Sequence, residues 1–365
     1  MRVAFMHPTF WPEVRRGSER VIAELGAELA RRGHEVTLLT THPGPRSVSE
    51  EGGIVVDRAR RPPALSPLRF YEHYVETLPA ALRRLRPGEF DVAHAFFPTD
   101  AFAASLRRER GGPPFVFSIH GIPTRRYLVA RRYRLEMLTR SIRAAGELTV
   151  LSRAAAQAAR RYLLREPMIV PGGVDPGRFE GDGSRAAQPT LLCASSLADP
   201  RKRGAMLIEA FTRLRERVPE ARLVLAGGGD MPAYGADGLA LPEGVERANA
   251  TTTEELAAAY GEAWATVVPS VEEAFGLVVL ESLAAGTPVV GARSGAIPEL
   301  LTAKEHGLAF EPDDPASLAG AMERALELGF EDDAVAARRE RAREFAWPRI
   351  ADAFEEIYAR VTGVS

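Results

Sequence analysis

Apolar and polar positions follow two rhythms along this chain, and the rhythms take turns. In the first half, short apolar runs read as buried strands: RVAFMH, EVTLLT, GIVVD, DVAHAF, PFVFSIH and LTVLS. Between several of them lie stretches with apolar residues three and four apart, so the pattern predicts parallel βαβ units with helices on both faces of a sheet. SERVIAELGAELARRGH is the clearest helix, with Ser18 standing where a cap belongs and Gly33 where a helix stops. The second half repeats the plan with TLLCASS, RLVLAGG, ATVVPS, PVVGA and GLAFEP as strands.

The periodicity lapses in MIVPGGVDPGRFEGDGSRAAQPT, where Gly, Pro and Ser collect, and this marks a domain boundary. A chain of 365 residues is also longer than one core usually grows. The expected division is a domain over 1–170, a second over 171–345, and a closing helix over 346–365 that packs back toward the first. The fold class is α/β, two doubly wound parallel sheets of the Rossmann-like kind facing a central cleft. In such sheets ligands bind beyond the carboxyl ends of the strands, so function is to be sought in the loops that follow strands.

Composition narrows the ligand. With 47 basic and 49 acidic residues the chain is nearly neutral, which argues against a nucleic-acid partner and suits a small, polar, anionic ligand in a cleft. Cys193 is the single cysteine, so neither an intrachain disulfide nor a thiolate metal cluster can form. No run approaches the roughly 20 apolar residues that span a bilayer. The start, MRVAFMHPTFWPE, meets Pro8 and Pro12 too early for a signal peptide, so the expected compartment is the cytoplasm. Only Lys202 and Lys304 are lysines, and Lys202 sits between Arg201 and Arg203. A position that keeps Lys in such surroundings suits a compact point charge better than a planar fork.

The most informative segment is VPSVEEAFGLVVLESLAAGTPVVGA, a strand, a loop, a helix and a strand. If residues 276–285 are helical, the eight steps from Glu273 to Glu281 rise about 12 Å, comparable with the distance from a sugar to the ribose of one nucleotide sugar. Two glutamates at helical spacing are usually solvated surface. Here Leu277, Val278, Val279, Leu280 and Leu283 make the helix apolar nearly all round, so Glu281 is expected in a partly buried place where a carboxylate needs partners. The amides of Phe275, Gly276 and Leu277 would open the helix toward an anion. In SSLADPRKRGAMLIEAF a strand ends and a helix begins near Arg203 or Gly204, placing Lys202 to neutralise charge on a departing group. His120 follows the strand of FSIHGIP, and Gly17 precedes the first helix in HPTFWPEVRRGSER.

EAFGLVVLE resembles the Glu, seven residues, Glu hallmark of the family 4 retaining glycosyltransferases, which have the GT-B fold of two Rossmann-like domains. PGGVDPGRF, GTPVVGARSGAIPELL and the closing FAW helix are similar to the same family, and together these cover most of the C-terminal half. The resemblance implies a nucleotide-diphosphate sugar donor in the second domain and an acceptor in the first. It implies donor contacts from Glu273, Phe275, Gly276, Leu277 and Glu281, and a diphosphate contact from Lys202. It also implies a His near the reacting sugar, at His120, and close approach of the phosphates to the first loop, at Gly17, where the family usually has paired glycines. The family commonly has Arg a few residues before the Lys, where this chain has Ser196; either Arg201, which is favoured, or Arg203 supplies that charge from another direction, or the grip on the diphosphate is weaker.

Other chemistries fit less well. AGGGDM, with Gly227 to Gly229, has Pro232 where a dinucleotide fingerprint needs Gly, and no P-loop pattern occurs. Asp313 and Asp314 read as a turn, so no metal and no organic cofactor is expected. The Arg-rich 125–143 stretch is either a solvated helix face or a surface for an anionic membrane or a phosphate-bearing acceptor. The expected function is retaining, metal-independent transfer of a hexose-type sugar to a glycan, glycolipid or small molecule, with His120, Glu273 and Lys202 as catalytic candidates. A nucleotide-sugar epimerase on the same fold, or a non-catalytic nucleotide-sugar-binding subunit, are the alternatives.

Overall fold

The computed structural model describes residues 1–14, 16–64, 72–131, 133–181, 183–226, 240–248, 250 and 252–364. The chain divides into two compact units, Met1–Gly173 with Trp347–Ser365, and Val174–Ala346.

In the first unit, the described residues form one eight-stranded sheet. Its strands are β1 (Arg2–Met6), β2 (Glu35–His42), β3 (Ser47–Glu51), β4 (Ile54–Arg60), β5 (Val92–Ala95), β6 (Phe115–Ile119), β7 (Glu147–Val150) and β8 (Met168–Ile169). They lie in the order β3-β4-β2-β1-β5-β6-β7-β8, every pair parallel except β3 with β4. Val3 to Met6 are wholly buried, as the central strand of a sheet covered on both faces must be. All six apolar runs of this half become strands. The other two had no apolar signal: β3 is SVSEE, a polar edge strand, and β8 is two residues long inside the MIVPGG stretch.

The helices of this unit include α1 (Gly17–Arg31), α2 (Leu78–Arg84), α3 (Pro98–Arg108), α4 (Arg125–Val129), α5 (Arg134–Ala144) and α6 (Arg153–Leu163). Helix α1 buries Val21, Ile22, Leu25 and Leu29, and Gly26 lets it lie close to the sheet: a Cβ there would be 3.1 Å from Ile54. Gly33, at φ +89°, ends it as expected. Ser18 does not cap it. The helix starts at Gly17 with Arg16 as N-cap and no side-chain cap bond, so Ser18 already lies inside the first turn. The helix Trp347–Thr362 is part of this unit, tied by Arg32 to Asp352 (2.6 Å) and by the Tyr358 hydroxyl to His94 Nδ1 (2.7 Å).

The second unit, again over described residues, is a six-stranded parallel sheet of β9 (Thr190–Cys193), β10 (Arg222–Leu225), β11 (Val245–Arg247), β12 (Ala265–Val268), β13 (Val289–Ala292) and β14 (Gly307–Phe310). Its order is β11-β10-β9-β12-β13-β14. The chain starts at β9, steps outward through β10 and β11, then returns to place β12 on the other side of β9. The gap between β9 and β12 is thus the topological switch point, where the loops after two adjacent strands diverge. Those loops lead into α7 (Gly204–Arg215) and, after α8 (Thr253–Glu262), into α9 (Leu277–Ala284). The glycine run Gly227 to Gly229 lies outside the described residues.

Candidate active site

The switch point brings two of the sequence candidates together. Lys202 ends a short 3-10 turn, Pro200–Lys202, on the loop after β9, and Glu273 lies on the loop after β12. Lys202 Nζ donates to Glu273 Oε2 at 2.7 Å, and both side chains remain partly open to solvent. The two loops are also joined along the backbone, where Val271 N donates to the carbonyl of Arg201 at 3.0 Å. A cation and a carboxylate held this way present an acceptor for hydroxyl groups beside a positive charge for phosphate oxygens.

Both loops carry backbone that L-residues rarely adopt. Arg203, directly after Lys202, sits at φ +52°, and Glu272, directly before Glu273, at φ +55°. Such conformations cost on the order of 1–3 kcal/mol each and persist where surrounding structure over-determines them. Here the surroundings are visible: Glu272 N donates to Ser294 Oγ (3.2 Å), and Ala296 N donates to the Glu273 carbonyl (2.9 Å). Gly295 between them, at φ +59°, packs so tightly that a Cβ would fall 2.3 Å from that carbonyl. The SGA turn after β13 is therefore a clamp on the Glu272–Glu273 loop. Its role was not visible in the sequence, because Ser294 and Gly295 are twenty-odd residues away from the loop they hold.

Helix α9 starts at Leu277, with Gly276 as N-cap at φ +106°. The helical rise therefore does not extend back to Glu273: residues 273–276 form a turn, and the calculation over eight helical steps does not apply. Phe275 is buried, with its ring 5.9 Å from that of Phe345, so it offers the site its backbone and not its side chain. Glu281 is 2 % exposed and accepts a 2.8 Å bond from the wholly buried Tyr260 hydroxyl of α8. The burial is more complete than the apolar flanks suggested, and Tyr260 is the partner that sequence reasoning did not identify.

Arg201 turns back on its own loop, with Nη2 2.6 Å from Asp199 Oδ2, and Arg203 pairs with Asp313 at 2.7 Å. Asp199 holds Arg201 above the ordinary guanidinium range, with Glu273 and Glu272 adding to the effect. Ser196 is exposed. Lys202 is the basic side chain that contacts Glu273, while the two arginines beside it already carry acidic partners.

Gly17 and His120 belong to the first unit. Gly17 is exposed and forms the first residue of α1. His120 is the residue after β6, half-buried, with its ring edge-on to Phe96 at 5.2 Å and no hydrogen-bond partner for Nδ1 among the described residues. Desolvation, with His7 adding a smaller repulsion, pushes its pKa down to about 3, so the ring is neutral at physiological pH. His7, after β1, contacts the Thr9 carbonyl through Nδ1 (2.7 Å), and Thr9 Oγ1 donates to the buried Glu19 (2.9 Å). His7 is the last residue of the run RVAFMH, at the carboxyl end of a predicted strand, which is the signal that could have marked it.

Residues 15–178 match the family model for Glycosyltransferase Family 4, and residues 188–328 match that for Glycosyl transferases group 1. The D-inositol 3-phosphate glycosyltransferase of Saccharomonospora viridis is 30 % identical over 94 % of this chain and 88 % of its own length. That of Actinosynnema mirum is 28 % identical over 95 % and 93 %. Among solved structures, sucrose-phosphate synthase from Thermosynechococcus elongatus superposes with a TM-score of 0.82 at 23 % identity, covering 100 % of both chains. Anabaena HepE in complex with UDP-glucose superposes with a TM-score of 0.74 at 18 % identity, covering 98 % of both. The fold is thus GT-B, and the chain belongs to the group 1, family 4 glycosyltransferases.

Proposed function

We propose that this glycosyltransferase is a retaining enzyme that moves a hexose-type sugar from a nucleotide-diphosphate sugar to an acceptor hydroxyl without a metal ion. The observation that carries this reading is the Lys202–Glu273 pair at the β9/β12 switch point. In this reading Lys202 neutralises the diphosphate as it departs, Glu273 accepts hydrogen bonds from sugar hydroxyls, and the amides of Gly276 and Leu277 face the phosphates. Glu281 takes the ribose hydroxyls. His120, neutral and with Nδ1 unpartnered among the described residues, hydrogen-bonds the sugar. The acceptor oxygen forms its bond to the anomeric carbon as the bond from that carbon to the phosphate oxygen breaks. The acceptor proton passes to the phosphate.

The donor nucleotide is sought first among uridine diphosphate sugars, because HepE was solved with UDP-glucose. A phosphorylated polyol is the first acceptor to try, because the relatives' names specify inositol 3-phosphate. The test is incubation with UDP-, GDP- and ADP-sugars in EDTA, with and without acceptor, followed by NMR of the product. Transfer with unchanged anomeric configuration supports the reading. An inverted product, a strict metal requirement, or conversion of the donor sugar to an epimer in the absence of acceptor overturns it.

The reading includes work in the cytoplasm, with a peripheral contact of the first unit at the membrane. Val129, Tyr133 and Leu135 are exposed within the Arg-rich 125–143 stretch, beside exposed Arg125 and Arg126. The stretch is not uniformly a surface: Arg134 is buried against Glu72 and the Tyr127 ring, and Arg140 pairs with Glu109. Cosedimentation with phosphatidylglycerol vesicles, lost in Val129→Asp/Leu135→Asp, tests the contact; no binding of the wild-type chain removes it.

A further inference from the structure

A groove of about 850 Å³ runs along the first unit over β2 and β4, beside α2. Its floor is the sheet face that carries Thr37, Leu39, Val55 and Asp57, residues two apart that share a face. Helix α2 walls one side, and Arg46 and Val48 belong to the other rim. Six of the sixteen lining residues are arginine, namely Arg2, Arg46, Arg60, Arg83, Arg84 and Arg86, against the acids Glu35, Asp57 and Glu89. This is well above the chain's 47 basic residues in 365.

The arginines fall into two groups. Arg2 is held by Asp91 at 2.7 Å, Arg46 reaches Asp57 at 3.2 Å, and Arg84 donates to the Asp57 and Thr40 carbonyls at 2.5 and 3.0 Å. Arg60, Arg83 and Arg86 are exposed and, among the described residues, have no acidic partner; of these, Arg60 alternates with Val55 and Asp57 onto the other face of β4, which leaves Arg83 and Arg86 to the groove. Val48 and Val55 keep apolar surface open between these charges. Fixed guanidinium groups, unpaired guanidinium groups and an apolar floor on one concave surface match a ligand with an anionic group on a less polar body. The groove lies along the face of the sheet and not at the carboxyl ends of its strands.

We infer that this groove is a second binding site, for a small phosphate-bearing molecule held by Arg83 and Arg86 against the floor of β2 and β4. Each unpaired guanidinium can give two N–H bonds to a phosphate, and the fixed arginines add charge without needing to move.

The test is calorimetric titration of the full chain at low salt with glucose 6-phosphate and with inorganic phosphate. It is repeated on Lys202→Ala, on Arg83→Glu/Arg86→Glu, and on Arg161→Glu as a charge control on α6. The expected result is equal affinity in the wild type, Lys202→Ala and Arg161→Glu, and a loss of about tenfold or more in the double variant. If the double variant does not melt cooperatively, Arg83→Gln/Arg86→Gln replaces it with the same criterion. No binding of either probe below about millimolar, a complex weaker than ordinary metabolite sites, overturns the inference. So does loss in Lys202→Ala with retention in the double variant, which puts the probe in the donor loops, or equal loss in Arg161→Glu, which reduces the effect to net charge.

Discussion

A methyl group on Gly295 would lie 2.3 Å from the carbonyl oxygen of Glu273 and 2.8 Å from its amide nitrogen. Glu273 is thereby held from behind by a residue with no side chain, while its carboxylate meets Lys202 in front. Gly295→Ala is expected to push the Glu273 loop forward and lower kcat about tenfold or more, since misplacement near 1 Å can cost about a hundredfold. Gly52→Ala is the control, because Gly52 has the same sign of φ (+58°) with nothing within 4 Å of its added Cβ. It should lose about 1 kcal/mol of stability from the backbone strain and leave kcat unchanged. Equal kcat losses in the two variants would remove the clamp.

Lys202→Ala is expected to lower kcat by about 100- to 1000-fold, the scale seen when one preorganised charge is removed from a transition state. Lys202→Arg should recover little of it, because the planar fork replaces a point charge beside Glu273. Steady-state kinetics at saturating donor decide this; a Lys202→Arg variant with near-wild-type kcat would show that charge alone suffices.

Tyr260→Phe removes the 2.8 Å hydroxyl bond to Glu281 while keeping the ring in its buried place. The expected outcome is a donor KM raised severalfold with kcat nearly unchanged, and a stability loss of about 1–2 kcal/mol. A kcat effect without a KM effect would move Glu281 away from donor binding and into the chemical step.

Asp100, buried in the first turn of α3, has its carboxyl pushed up to about 7 from an ordinary 3.8, by burial against a weaker opposing pull from Arg84. The folded chain therefore keeps this proton between pH 3.8 and 7 while the unfolded chain releases it, and stability falls as pH rises through that window. Asp100→Asn should melt several °C above wild type at pH 8, at about 2–4 °C per kcal/mol for a unit of about 150–250 residues. At pH 4 the two should melt alike.

His120 runs the other way. Its folded value of about 3 lies below the ordinary 6.5, so its contribution to stability is complete above pH 6.5 and is lost as pH falls toward 3. His120→Asn should flatten the loss of melting temperature between pH 6.5 and 4. The kcat/KM profile of the wild-type enzyme should show no limb near pH 6.5 from this residue; one that disappears in His120→Asn would mean the ring is charged in the free enzyme.

The strands with strong apolar runs and the division near the Gly- and Pro-rich stretch were legible in the sequence, as was the placing of Lys202 and Glu273 on loops that follow strands. Each is written locally: a buried parallel strand must be apolar on both faces, and a loop after it must be polar. The edge strand β3 and the short β8 were not legible, because an edge strand is stabilised by one neighbour's backbone and needs no apolar run of its own. Tertiary structure alone decided that Lys202 faces Glu273, that Tyr260 bonds Glu281, and that Ser294 and Gly295 clamp a loop far away in sequence. Local sequence sets which residues can form a strand or carry a charge. Which two loops meet depends on strand order, and the return of β12 to the far side of β9 is fixed by packing across the whole sheet.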